Sequence, residues 1–413
     1  MTSRTVARNT LFLGMAQGVR ILLALALILY IANLYGPVWQ GKFSILLAFL
    51  NIFQVLASFG MPRLITREVA RGYEESNHYY WAGLAAQGLT TLAFMVIMVG
   101  VVAVMPYPTD TKWMLWVAVL ALPLFTFYSL AGALLRAIEQ MQYLVYAEVL
   151  SAAAQLAAAI LLLSLGGGVI VLAVIRVAGI GLAALVVTLS VLHRGLVRTP
   201  QWDFPFARKL LRASVDFFGM AGMDALTQRL DVLVLSVVAG EAVTGIYDAA
   251  FQLIKVLMTF ILSFTDAVYP AISRLFALNR EGFRHELMRY LKWGLAGLLP
   301  IAATLSLLAP FVIRLLYRHQ GYDASVRVLQ VLAWVIIFYF LYIYLSRALM
   351  AGNRARAAFL VALVMVMAGA FFLMTGVRLR GAQGAAIGLL AMYGVGALLT
   401  GLISRDLSNP QPK

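Results

Sequence analysis

Apolar runs of membrane-spanning length, separated by short polar connectors, dominate the chain from end to end. Each run is long enough to cross the roughly 30 Å hydrocarbon core of a bilayer as an α-helix. The pattern predicts twelve such helices and leaves no room for a soluble domain. We place them near residues 9–34, 42–62, 79–104, 112–135, 144–164, 169–193, 212–238, 245–270, 293–316, 326–350, 356–376 and 383–403. The predicted fold class is therefore an all-α membrane protein.

A polar stripe runs along the predicted eighth helix, between Tyr247 and Pro270. Its members recur at spacings of three and four, so they fall within an arc of roughly 80°. A charge that faces lipid costs at least about 2.5–3.5 kcal/mol at the bilayer centre, so we expect the stripe to face protein or water. It predicts a central polar cavity, with interhelical hydrogen bonding as the alternative. The members are Asp248, Gln252, Lys255, Thr259, Ser263 and Asp266.

Other predicted helices also carry polar residues at helical spacing. Arg20 lies about 17 Å along its helix from Asn9, near mid-membrane. Glu148, near a helix end, is interpreted as a solvated boundary residue, and Arg176 either lines the pathway or pairs with a helix end. The candidate substrate-binding residues are Gln17, Arg20, Asn51, Gln54, Arg176, Gln252, Lys255 and Thr259. The candidate sites for a coupling proton or sodium ion are Asp216, Asp224, Asp231, Asp248 and Asp266.

Arg20 and Lys255 are fixed cations within apolar helices, and this placement suits a phosphate or pyrophosphate group. We find no nucleophile motif, glycine-rich phosphate loop or metal-ligand cluster outside the helices. The sequence therefore predicts no catalytic residue, no metal site and no organic cofactor.

The two halves of the chain resemble each other. Residues 36–43 read GPVWQGKF and residues 240–247 read GEAVTGIY, an offset of 204 residues. Six predicted helices separate the two copies, so both have the same orientation. This pattern predicts two six-helix lobes, residues 1–200 and 201–413, related by a parallel repeat around the polar cavity.

Composition agrees with a multi-pass membrane protein, since 63% of residues are hydrophobic, 12% are charged and the mean hydropathy is +0.90. The net charge of +15 could suggest nucleic acid, but the basic residues lie mostly in short loops where they meet lipid headgroups. Placing both termini in the cytoplasm puts about 21 Lys and Arg inside and about 7 outside. We therefore predict cytoplasmic termini, membrane lipids as partners and no nucleic-acid partner.

Two segments carry a family resemblance: residues 228–235, QRLDVLVL, and residues 241–250, EAVTGIYDAA. With these motifs and its twelve helices, the chain resembles the Wzx-type polysaccharide flippases of the multidrug/oligosaccharidyl-lipid/polysaccharide exporter superfamily. The resemblance implies a monomer in the bacterial inner membrane that moves a polyprenyl-pyrophosphate-linked oligosaccharide to the outer leaflet by alternating access. It also implies a role in surface polysaccharide biosynthesis, beside polysaccharide-assembly proteins.

Two other functions stay open at this point. An ion-coupled multidrug exporter of the same superfamily would need an acidic, aromatic-lined cavity, and Arg20 with Lys255 argues against it. A membrane glycan polymerase or ligase would need catalytic residues at one membrane face and usually a large outer loop, but the predicted outer loops are short.

Overall fold

The computed structural model describes residues 3–72, 75–278, 280–319 and 321–405, without the side chains of 3–13, 15, 216, 220, 224, 277, 280, 281 and 405. The described chain forms helices joined by short connectors. They are α1 (Ser3–Ser58), α2 (Met61–Val69), α3 (Ser76–Val104), α4 (Thr109–Ala118), α5 (Ala121–Ala137), α6 (Gln142–Ser164), α7 (Ile170–His193), α8 (Phe204–Ala213), α9 (Val215–Val238), α10 (Gly240–Leu278), α11 (Arg280–Leu316), α12 (Asp323–Ala351) and α13 (Ala355–Arg405).

The predicted all-helical membrane fold with twelve crossing segments is confirmed. Nine helices of the described chain are long and apolar enough to cross a membrane. Two of these, α1 and α13, contain an internal break and supply two segments each, at Gly36 and at Arg380–Gly381. The polar helix α9 completes the twelve.

The break in α1 is encoded by a glycine–proline pair. Gly36 has φ 79° and ψ −167°, a conformation that a residue with a Cβ rarely adopts. Pro37 follows and has no N–H to donate to the preceding turn. The two predicted helices 9–34 and 42–62 therefore join through a kink rather than a loop.

A second proline explains why the predicted fourth helix is divided into α4 and α5. Pro123 has no N–H to donate to the carbonyl oxygen of Val119, so the helical ladder is interrupted there. The N–H of Leu122 instead bonds the Val119 oxygen at 3.0 Å and closes a tighter turn. The two helices together still form one crossing segment, Thr109–Ala137.

By internal contacts the chain divides into two units. Unit 1 contains the residues up to Ile31 and Ile45–Leu226, and unit 2 contains Ala32–Ser44 and the chain from Thr227 onward. The kinked segment of α1 thus belongs to unit 2 by its contacts, although both of its neighbours in sequence belong to unit 1. The predicted lobe boundary near residue 200 stays a prediction.

A buried core in unit 1 is formed by α2, α3, α5, α6, α7 and α8. Short polar side chains cross-link its helices within this apolar packing. Gln87 donates to the hydroxyl of Ser129 at 2.9 Å, and Thr91 and Thr126 share a hydrogen bond of 2.7 Å. Such small and polar contacts hold membrane helices together where burial from water provides no driving force.

Helix α8 is a short amphipathic helix that follows the basic connector after α7. Asp203 caps its N-terminus by accepting the N–H of Phe206 at 2.9 Å, and His78 Nε2 lies 3.1 Å from the same carboxylate. These hydrogen bonds, the one from Phe206 above all, hold the pKa of Asp203 below its ordinary value. The cap therefore keeps its negative charge at neutral pH and favours the helix start.

Unit 2 is organised around α12, which packs against α10, α11 and α13. Hydroxyl groups connect these helices to backbone carbonyl groups of their neighbours. Ser325 donates to Ile246 at 2.7 Å, and Tyr344 donates to Leu287 at 2.8 Å.

The two copies of the repeated segment pack against each other inside unit 2. Gly36 and Gly240, which correspond in the repeat, both have left-handed backbones, with φ 79° and φ 82°. A Cβ at Gly41 would clash with the Glu241 carbonyl oxygen, and a Cβ at Gly245 would clash with the Pro37 carbonyl oxygen. Since Pro37 and Glu241 also correspond, the crossing has an approximate local two-fold symmetry.

Gly41→Ala should destabilise the protein by at least about 2 kcal/mol, because the new methyl group meets rigid backbone and not a movable side chain. Thermal unfolding of the purified protein in detergent measures the effect. Gly88→Ala in α3 is the matched control, since a Cβ there meets nothing within 4 Å. Equal unfolding temperatures for the two variants would contradict the close crossing.

Candidate functional site

A cluster of polar side chains joins three helices of unit 1, and we name it the Arg20 cluster. It consists of Gln17 and Arg20 on α1, Tyr128 and Arg136 on α5, and Glu148 on α6. The Nε of Arg20 donates to Gln17 Oε1 at 3.2 Å and lies 3.2 Å from Glu148 Oε2. The hydroxyl of Tyr128 donates to the other oxygen of Glu148 at 2.6 Å. Arg136 lies close enough for its charge to act on both Tyr128 and Glu148.

The ion pair between Arg20 and Glu148 is accessible. The side chains keep 36% and 33% of their surface exposed. A pair with this exposure contributes about 0–1 kcal/mol to stability, so it can open at little cost. Glu148 is thus the ion-pair partner of Arg20. Its position near a helix end indicates a solvated boundary residue, and the pairing adds to that interpretation.

A second cluster surrounds Asp248 in unit 2, and it is buried. The carboxylate is 2% exposed and accepts hydrogen bonds from Ser44 at 2.9 Å, Gln40 at 3.4 Å and Gln252 at 2.9 and 3.1 Å. Ser44 corresponds to Asp248 in the repeat, so this contact lies beside the two-fold crossing of Gly41 and Gly245. The arrangement satisfies a buried carboxylate from both copies of the repeat.

Asp231 on α9 is also buried, with 2% exposure. It accepts the hydroxyl of Tyr247 at 2.6 Å and the N–H of Val232 at 2.8 Å. Arg229, with 6% exposure, lies close enough for its charge to act on this carboxylate. The charges of the family-like segment 228–235 are therefore held inside the protein.

The polar stripe of α10 changes character along its length. Asp248 and Gln252 at one end are buried, whereas Lys255 is exposed. The hydroxyl of Thr259 donates to the carbonyl oxygen of Lys255 at 2.9 Å, a hydrogen bond within the helix itself. Asp266 is 59% exposed and pairs with Arg347 of α12 at 2.8 Å. The section from Lys255 onward is thus the more exposed part of the stripe.

The remaining candidate residues lie elsewhere. Asn51 is half-buried, and Gln54 is buried with no hydrogen-bond partner for its Nε2 in the described part of the chain. Arg176 donates to Gln155 at 3.1 Å inside unit 1. Asp216 and Asp224 lie outside the described side chains. The roles of all these residues stay predictions.

Sequence reasoning did not single out several partners that the structure brings to these sites. Ser44 could have been found, because the repeat aligns it with Asp248. Tyr128 and Arg136 gave no such signal, since their pairing with Glu148 depends on how α5 packs near α6. No group of three or more His, Asp or Glu side chains suited to a metal ion occurs in the described chain.

Comparison with known proteins finds two family models that match parts of the chain. The family model described as "Polysaccharide biosynthesis protein" matches residues 6–276, about two thirds of the chain, and the model described as "MatE" matches residues 223–375. A curated relative from Escherichia coli K12, named "Putative O-antigen transporter", is 21% identical over 67% of this chain and 67% of its own length.

Solved structures agree on the fold. A structure entitled "Lipid II flippase MurJ, inward closed conformation" has a TM-score of 0.82 and 14% identity, covering 96% of this chain and 87% of that one. An inward-facing multidrug resistance MATE family transporter of the MOP superfamily has a TM-score of 0.77 and 16% identity, covering 94% of both chains. At these identities the structures show the shared fold alone.

Asp248→Ala should destabilise the protein by about 2–3 kcal/mol, because three buried donors lose their acceptor. Asp266→Ala on the same helix is the control and should cost less than about 1 kcal/mol, since that ion pair is exposed. Thermal unfolding in detergent distinguishes the two. Similar losses of stability would show that the Asp248 network is not the main polar contact of this helix.

Proposed function

Because the chain belongs to the polysaccharide biosynthesis protein family, we propose that it is a flippase for a polyprenyl-pyrophosphate-linked oligosaccharide. The family, the fold and the O-antigen transporter relative support a membrane transporter of the multidrug/oligosaccharidyl-lipid/polysaccharide exporter superfamily rather than an enzyme. The finer proposal is that the protein carries the lipid-linked glycan from the cytoplasmic to the outer leaflet for surface polysaccharide synthesis, by alternating access.

The observation that carries this proposal is the accessible guanidinium of Arg20 within an apolar helix. Both of its polar contacts in the described structure use Nε. Its two terminal nitrogens are therefore available to an anion, and a guanidinium fork matches phosphate oxygens in a bidentate manner. A cation within a membrane helix is costly unless it serves a substrate or a partner.

The other candidate residues have supporting parts in this proposal. Lys255 is exposed on α10 of unit 2 and is the proposed cationic residue of that unit. The proposed polar contacts to the substrate are Gln17, Asn51, Gln54, Arg176, Gln252 and Thr259. We propose the aspartates Asp216, Asp224, Asp231, Asp248 and Asp266 as positions for a coupling proton or sodium ion.

The second candidate function is an ion-coupled multidrug exporter. The match to the MatE model and the likeness to a MATE transporter structure support it. An organic cation would be repelled by Arg20 and Lys255, whereas a pyrophosphate would be attracted. The charge of the accessible side chains therefore favours the lipid-linked anion.

Transport in proteoliposomes tests the proposal. With polyprenyl-pyrophosphate oligosaccharide in both leaflets, the fraction accessible to an external sugar-modifying enzyme should rise well beyond one leaflet only when active protein is present. Arg20→Gln should slow this exchange by about tenfold or more, the equivalent of one lost charge-assisted contact. Arg198→Gln, on the exposed connector before α8, removes the same charge and should flip normally.

Accessibility that stays at one leaflet for several headgroups, together with ion-driven uptake of a small organic cation into the same liposomes, would favour the exporter.

A further inference from the structure

The Arg20 cluster contains more positive than negative charge. The guanidinium of Arg20 pairs with the single carboxylate of this cluster, Glu148, and the charge of Arg136 acts on the same carboxylate. All three lie in membrane-spanning helices of unit 1. A net charge of one sign in such a position is unfavourable by itself and is relieved by a bound ion of the opposite sign.

Arg136 is held loosely at this site. Its one hydrogen bond in the described structure is a long contact of 3.5 Å from Nη2 to the carbonyl oxygen of Ser129. A Cβ at Gly132 would lie 3.4 Å from its Nη1 and 2.9 Å from Cδ2 of Leu144, so the guanidinium packs against this glycine close to α6, the helix of Glu148. With this one long hydrogen bond, the guanidinium keeps further N–H donors for another acceptor.

Glu148 already occupies the position of such an acceptor. It receives the Nε of Arg20 on one oxygen and the hydroxyl of Tyr128 on the other. Its carboxylate thus imitates a bound anion at Arg20, within reach of the charge of Arg136. Because the pair is one-third exposed, an incoming phosphate can compete with it for Arg20.

We propose that Arg136 and Arg20 together bind the pyrophosphate of the substrate, and that Glu148 is the internal counter-ion that the pyrophosphate displaces. This inference rests on the proposed function, and it adds a second arginine and a competing carboxylate to the same site. A pyrophosphate carries more than one negative charge and so matches two guanidinium forks better than one.

The competing carboxylate gives the proposal its distinctive consequence. Removing the charge of Glu148 should strengthen pyrophosphate binding, because Arg20 no longer has an internal partner. Loss of a purely structural ion pair would leave binding unchanged or weaken it. Glu148→Gln is the suitable change, since its amide oxygen still accepts the hydroxyl of Tyr128.

The experiment measures binding of farnesyl pyrophosphate, a short polyprenyl pyrophosphate, to the full-length protein in nanodiscs by calorimetry, with farnesol as the uncharged probe. Glu148→Gln should bind the pyrophosphate about threefold to tenfold more tightly than the unmodified protein. Arg136→Gln should bind it about tenfold more weakly, and Arg136→Lys should be intermediate because it keeps the charge but not the fork. Arg198→Gln is the charge-matched control and should not differ.

The outcomes separate this inference from the proposed function. If Arg20→Gln abolishes binding while Glu148→Gln and Arg136→Gln have the unmodified affinity, the two-arginine site is wrong and the flippase proposal stands. If farnesyl pyrophosphate binds no better than farnesol even to the unmodified protein, both are wrong. Thermal unfolding of each variant establishes that it is folded. If Arg136→Gln does not fold, Arg136→Lys takes its place, and an unmodified affinity of Arg136→Lys also overturns the inference.

Discussion

Charged groups inside a membrane helix must find partners within the protein, and this requirement orders the whole structure. An unpaired charge in hydrocarbon costs several kcal/mol, so each one draws helices together. Asp248 is satisfied by Gln40, Ser44 and Gln252, and Asp231 by Tyr247 and a backbone N–H. These buried carboxylates are contacts within unit 2. Arg20, by contrast, keeps about a third of its side chain exposed and is the charge that we propose for the substrate.

The fold was largely predictable because its signals are local and strong. Apolar length identified the crossing segments, and the repeat at an offset of 204 residues anticipated the matching left-handed glycines Gly36 and Gly240. The proline signals were present too, since Pro37 and Pro123 lie beside the breaks that the structure contains. Membrane helices are predicted this well because lipid leaves the backbone few alternatives.

The site was predictable only in part. The spacing of the stripe correctly grouped Asp248 with Gln252, but it could not show that this end is buried while Lys255 is exposed. Periodicity fixes which residues share a face of one helix, and packing decides what that face meets. For the same reason Glu148 looked like a boundary residue, although it pairs with Arg20 from a helix more than a hundred positions away.

The central claim is that a pyrophosphate-linked lipid binds at Arg20. Electron cryo-microscopy of the protein with a polyprenyl-pyrophosphate oligosaccharide tests it most directly. The account predicts phosphate density at the terminal nitrogens of Arg20, within hydrogen-bonding distance of Arg136, with Glu148 turned away from Arg20. Phosphate density bound elsewhere, with the pair of Arg20 and Glu148 still intact, would contradict it.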